Sequence, residues 1–194
     1  VEEKMYMKVT SVYGLTETAP GMTATRIDDS FDVRCNTVGR DFEFTEVKVI
    51  DPETGEECPV GVQGEMCNRG YNTMKGYYKN PEATAEVLDK NNFLHSGDLG
   101  IKDENGNYRI TGRIKDMIIR GGENIYPREI EEFLYKLDGV KDVQVAGIPS
   151  KKYGEAVGAF IILQEGVTIQ AEDVRDFCRN KISRYKIPKY IFFV

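Results

Sequence analysis

The chain has 194 residues, 40% of them hydrophobic, enough for one buried core or two small ones. Its formal charge of −6 opposes the basic stripe that nucleic-acid surfaces use. The longest wholly apolar runs, 159–163 and 191–194, fall far short of the roughly 20 residues of a membrane-spanning helix. Cys35, Cys58, Cys67 and Cys178 show no C-x-x-C spacing, and no charged-apolar-small leader opens the chain, so a reducing cytoplasm is the expected setting. His95 is the sole histidine and no G-x-S-x-G elbow accompanies it, which sets hydrolytic triads aside.

In chain order, residues 44–50 form a β-rich run closed by the turn residues Asp51-Pro52-Glu53-Thr54-Gly55, and a meander of strands is expected to follow. Asn80, Pro81 and Glu82 read as N-cap, first helical residue and early acid of a short helix carrying Ala83, Val87 and Leu88. Phe93-Leu94-His95 reads as a strand ending at a Ser96-Gly97-Asp98 turn. Asp103-Glu104-Asn105-Gly106-Asn107 predicts a hairpin between strands near 99–101 and 108–111.

After Gly112 the texture changes. Arg113, Lys115 and Asp116 crowd ionic groups into a short connection, and Met117 to Ile119 follow as an apolar strand. Gly121-Gly122 then leaves backbone without Cβ atoms, either a track for something thin or a β-bulge. Pro127 with Ile130, Phe133, Leu134 and Leu137 predicts a helix over 127–137. Strands over 141–148 and 157–163, a helix over 171–182 with Val174, Phe177, Cys178 and Ile182 on one face, and a strand over 189–194 complete a compact α+β unit. There is no internal repeat.

Residues 112–131 resemble the hinge and glycine loop of the adenylate-forming acyl-CoA synthetase superfamily. Three upstream blocks agree with it in order: Tyr13-Gly14-Leu15-Thr16-Glu17-Thr18, the run Gly64-Glu65-Met66-Cys67-Asn68-Arg69-Gly70-Tyr71 continued by Met74-Lys75-Gly76-Tyr77-Tyr78, and Ser96-Gly97-Asp98. The resemblance implies an α+β chain: residues 1–112 as the β-rich, barrel-like end of a large AMP-binding domain, 113–116 as a hinge, and 117–194 as most of a small C-terminal domain. It also implies a chain cut at both ends. The family's phosphate loop lies upstream of the tyrosine block, its adenylation lysine beyond residue 194, and most of the acyl pocket upstream. Such a fragment is not expected to catalyse alone.

The same resemblance implies roles. Tyr13 stacks on adenine, Thr16 contacts the α-phosphate and Glu17 ligates magnesium, while Gly14 and its neighbours touch the acid. Asp98 binds ribose, Ile110 forms the apolar wall across the adenine and Arg113 is a second ribose contact. Lys115 is the pivot of a domain swing, and Gly121 and Gly122 line the pantetheine tunnel of coenzyme A. ATP or AMP, Mg²⁺ and coenzyme A are the implied ligands and a small carboxylic acid the substrate, with a medium-chain or aryl acid expected. On chemistry alone, each block also suits a plain turn or strand. Ser96 stands where the family usually has threonine. The Gly-Glu run reads as structural, Cys67 as buried filler and His95 as roleless. Lys181, Arg184, Lys186 and Lys189 form a basic cluster read chiefly as a solvated face, alternatively as a contact for coenzyme A phosphates. A peptide-synthetase adenylation domain, a luciferase-like oxidation and a non-catalytic nucleotide-binding module are the competing readings; Leu15 and Asn124-Ile125-Tyr126-Pro127 favour a CoA ligase.

Overall fold

The structure is a computed structural model describing residues 2–194, and it divides into two compact units, one ending at Thr111 and the other spanning Gly112–Val194. In the first, α1 (Glu2–Met5) precedes β1 (Val12–Tyr13), a 3-10 turn over Thr16–Thr18, β2 (Thr23–Ala24), α2 (Phe31–Asn36) and β3 (Arg40–Asp41). Next come β4 (Thr45–Ile50), β5 (Gln63–Gly70), α3 (Pro81–Val87), β6 (Leu94–Lys102) and β7 (Tyr108–Arg113). Strands β1-β2-β3 make one sheet and β4-β5-β6-β7 a meander.

Tyr108 ties the two sheets. Its backbone accepts from Val38 N–H and donates to the Gly39 carbonyl, both at 2.8 Å, and its hydroxyl donates to the Val47 carbonyl at 2.8 Å. A fully buried phenol needs that acceptor, because an unpaired hydroxyl in an apolar core costs about 1–3 kcal/mol. Around it pack Met22, Val47, Val49 and Met66, each at most 3% exposed. Burial of each such side chain contributes about 1.5–3 kcal/mol. α3 starts as its sequence predicts: Asn80 accepts from Ala83 N–H at 3.1 Å and Pro81 takes the first turn, where no N–H is needed.

The second unit contains a 3-10 turn over Ile114–Asp116, β8 (Ile118–Arg120), β9 (Glu123–Ile125), α4 (Pro127–Leu134), β10 (Val140–Ser150), β11 (Gly154–Leu163), α5 (Ala171–Cys178), a 3-10 turn over Arg184–Lys186, and β12 (Tyr190–Phe193). β11 is the spine of its sheet. β10 pairs antiparallel along its whole length, while β8 meets it antiparallel at Gly154 and β12 runs parallel to it from Gly158 to Ile161. Ile130 and Leu134 from α4 and Val174 and Cys178 from α5 close the core over Val143, Val145, Val157, Ala159 and Ile161.

Both helices are shorter than their periodicity predicts. α4 stops at Leu134 because Tyr135–Leu137 tightens into a turn, with Leu137 N–H donating to the Leu134 carbonyl, and Gly139 (φ +89°) reverses the chain into β10. α5 stops at Cys178 because Arg179 is extended and Asn180 is left-handed (φ +61°). Leu137 and Ile182 still pack on the core, so the apolar period outlasts the helix that it signals. Among the described residues, no helix is long and apolar enough to cross a membrane.

Candidate nucleotide site

Tyr13 sits on β1 and Asp98 on β6, and the Tyr13 hydroxyl donates to Asp98 Oδ2 at 2.8 Å. Asp98 is 5% exposed, so its carboxylate is committed to partners rather than to bulk water. Ile110 and Tyr13 pack against the same cluster of Met22, Val47, Val49, Met66 and Tyr108, which brings an aromatic ring, an aliphatic wall and a carboxylate onto one scaffold. Sequence chemistry places Ser96-Gly97-Asp98 in a turn at a strand end; the structure corrects this. β6 runs unbroken from Leu94 to Lys102 and carries the triplet inside a bulge, where the register against β5 slips between Glu65 and Cys67. Gly97 makes the bulge possible at φ +73°, a conformation that costs a side-chain-bearing residue about 1–2 kcal/mol. Asp98 N–H donates to Ser96 Oγ at 3.0 Å.

On the turn after β1, a Cβ placed on Gly14 would lie 1.8 Å from the Pro20 carbonyl oxygen, so this glycine has a steric requirement of its own. Thr18 is buried and closes the turn, its Oγ1 accepting from Leu15 N–H at 2.9 Å. Thr16 is exposed and Glu17 half-buried. Glu17 is gripped twice by a segment that sequence chemistry leaves as scaffolding: Met74 N–H donates to its carbonyl and the Tyr77 hydroxyl to its Oε1, both at 2.8 Å. Tyr77 is therefore a candidate site residue missed in the sequence. Its hydrogen bond to the Glu17 carboxylate, and secondarily its burial, push its phenol above the ordinary tyrosine value. The donor set suits magnesium: Oε2 of Glu17 remains a hard oxygen, and Mg²⁺ ordinarily takes one or two carboxylates and completes its shell with phosphates and water.

The cluster of metal-capable groups among the described residues lies elsewhere. Glu65 and Cys67 on β5 face His95 on β6, with their ligand atoms within 4.8 Å of one another. Cys67 is wholly buried, and burial, then the Glu65 charge, pushes its thiol pKa far up, in keeping with filler. His95, given no role in the sequence, has its Nδ1 2.7 Å from Glu65 Oε2.

In the second unit Lys115 is exposed at the middle of the Ile114–Asp116 turn, and Arg113, the last residue of β7, is exposed. Gly121 and Gly122 are not a bulge. They are the two-residue tip of the β8–β9 hairpin, both left-handed (φ +63° and +92°), with Arg120 facing Glu123 across the ladder. Type I′ turns match strand twist and need positive φ at both positions, which is why two glycines stand there. Gly121 N–H donates to the Tyr153 carbonyl at 2.8 Å, and its missing Cβ would touch the Tyr153 ring at 3.4 Å. The basic cluster is partly spent: Lys186 Nζ reaches both Glu129 oxygens at 2.7 Å and Lys181 lies over the Phe177 ring.

Two family models match the chain, the AMP-binding enzyme model over residues 1–78 and the AMP-binding enzyme C-terminal domain over residues 129–194. YngI of Bacillus subtilis, whose name assigns it provisionally to the acyl-CoA synthetases, is 51% identical over 194 residues, all of this chain and 35% of that protein. The mitochondrial medium-chain acyl-CoA ligase ACSF2 of Rattus norvegicus is 43% identical over 98% of this chain and 31% of its own length. Among solved structures, ATP-bound MatB from Rhodopseudomonas palustris superposes with a TM-score of 0.91 at 37% identity, over 96% of this chain and 36% of that one. The chain belongs to the AMP-binding, adenylate-forming enzymes. It spans about a third of the length of the curated relatives it matches.

Proposed function

We propose that this chain is the nucleotide-binding end and C-terminal domain of an ATP-dependent acyl-CoA ligase. One observation supports this most: the Tyr13–Asp98 hydrogen bond on a scaffold shared with Ile110, next to the Thr16-Glu17 turn. A nucleoside monophosphate offers that arrangement a flat base, a diol and an anion. In this reading Tyr13 and Ile110 sandwich adenine, Asp98 accepts from the ribose hydroxyls, Arg113 donates to the ribose, and Thr16 donates to the α-phosphate.

The reaction has two halves. A carboxylate oxygen attacks the α-phosphorus of ATP, forming acyl-AMP and expelling pyrophosphate; the sulfur of coenzyme A then attacks the acyl carbon, and AMP leaves with the bonding pair. Glu17, oriented by Tyr77, would hold magnesium, which supplies charge neutralisation at the phosphates. Gly14 keeps the turn tight beside the acid. Lys115 would be the point about which the small domain swings between steps, bringing the Gly121-Gly122 hairpin to the thiol's approach. An exposed lysine suits a pivot because no buried group is stranded when φ and ψ change.

The full-length enzyme tests this through its products. With a panel of medium-chain and aryl acids, ATP, Mg²⁺ and coenzyme A, the expected products are AMP, pyrophosphate and a thioester in equal amounts. Formation of ADP and phosphate, or no acid-dependent turnover across the panel, would remove the proposal.

A further inference from the structure

We infer that Glu65 is a positioning residue for Asp98, setting the nucleotide's ribose selectivity from the neighbouring strand; this rests on the assignment of Asp98 to the ribose. Glu65 is 7% exposed, and a carboxylate so buried must be paired. Both of its oxygens are used on β6. Oε1 accepts from Gly97 N–H at 2.8 Å and Oε2 lies 2.7 Å from His95 Nδ1. A carboxylate can only accept, so Nδ1 is the nitrogen that carries hydrogen.

These two contacts fix one flank and the middle of the bulge that delivers Asp98. Gly97 is left-handed, and a Cβ on it would meet nothing within 4 Å, so side-chain packing does not hold this backbone in place. The Glu65 hydrogen bonds do. Between the Glu65–Leu99 and Cys67–His95 pairs, Met66 alone on β5 stands against Ser96, Gly97 and Asp98 on β6, so two extra residues of β6 arch out of the ladder at this point. Asp98 lies in this arch, so the arch carries its carboxylate out of the regular ladder to where Tyr13 meets it. The rival reading, a metal centre of Glu65, Cys67 and His95, is disfavoured because both Glu65 oxygens already accept hydrogen bonds and burial keeps the thiol neutral.

The test measures kcat and KM for ATP and for 3′-deoxy-ATP in acid-dependent pyrophosphate exchange by the full-length enzyme. Glu65→Leu removes both acceptors and should lower the preference for ATP by about tenfold, through KM for ATP, with kcat on 3′-deoxy-ATP nearly unchanged. Glu65→Gln keeps an acceptor for Gly97 N–H and should retain the preference. Glu65→Asp, too short to span both contacts, should fall between them, and it carries the test if Glu65→Leu does not fold. Unchanged preference in Glu65→Leu or Glu65→Asp, or equal losses in Gln and Leu, overturns the positioning role. Asp98→Ala separates the two assignments: if it keeps the wild-type preference, the ribose assignment itself is wrong, whatever Glu65 does.

Discussion

Tyr13 and Asp98, 85 residues apart, meet through one 2.8 Å hydrogen bond that makes an aromatic ring and a buried carboxylate a single unit. Tyr13→Phe keeps the ring and deletes the donor. The full-length variant should lose about 1–3 kcal/mol of stability, because a buried carboxylate loses one hydrogen bond, and should raise KM for ATP about three- to tenfold. Thermal melts with pyrophosphate exchange read both effects; a variant with unchanged stability and KM would show that the hydrogen bond does not organise the site.

Tyr77 acts on Glu17 in the same manner. Tyr77→Phe should weaken the apparent Mg²⁺ affinity in the adenylation step about threefold or more while leaving the fold intact, since the phenol is partly exposed. Because the phenol is raised, its contribution is complete below the ordinary tyrosine value of about 10 and disappears as pH rises through the higher folded-state value. A Mg²⁺ titration at pH 7 and again at alkaline pH checks this, and the Phe variant should lack the alkaline change.

Part of this fold was legible in the chain because local chemistry decides it. Asn80-Pro81 starts α3, and Asp103 to Asn107 turns a hairpin, with Asp103 Oδ1 accepting from Asn105 and Asn107 N–H. Where tertiary pairing overrides local preference, the reading fails. Gly97 signals a turn, yet Glu65 across the ladder holds it in a continuous strand. Gly121-Gly122 needed the pairing of Arg120 with Glu123 to be recognised as a hairpin tip. The motif residues of the site were readable through their order, but the bonds from Tyr77 to Glu17 and from Glu65 to β6 span 60 and about 30 residues and leave no local signal.

The cysteines offer a check on packing. Cys35 is exposed, whereas Cys67 and Cys178 are fully buried. Burial pushes both buried thiols up, Cys178 to about 11, so each contributes stability fully below the unfolded thiol value of about 8.5 that is lost as pH climbs through the folded one. Maleimide labelling at pH 7.5 with mass mapping should modify Cys35 within minutes and Cys67 and Cys178 only on denaturation. Rapid labelling of Cys67 in the native protein would contradict the β5–β6 packing.

Lys115→Pro in the full-length enzyme should fix φ at the pivot and selectively slow thioester formation from supplied acyl-AMP and coenzyme A, with acyl-AMP formation largely kept. Lys115→Ala controls for the lost charge and should affect neither step strongly. Equal loss of both steps in the two variants, measured by quenched flow, would make Lys115 a contact or folding residue rather than a hinge.

In the proposed reaction Asp98 holds the nucleotide through both halves, and Asp98→Ala in the full-length enzyme is the decisive variant. Pyrophosphate exchange reads the first half and thioester formation from supplied acyl-AMP the second. Both should fall together, about tenfold or more, because the same ribose must be held in each. Normal pyrophosphate exchange in a folded Asp98→Ala enzyme would contradict the account.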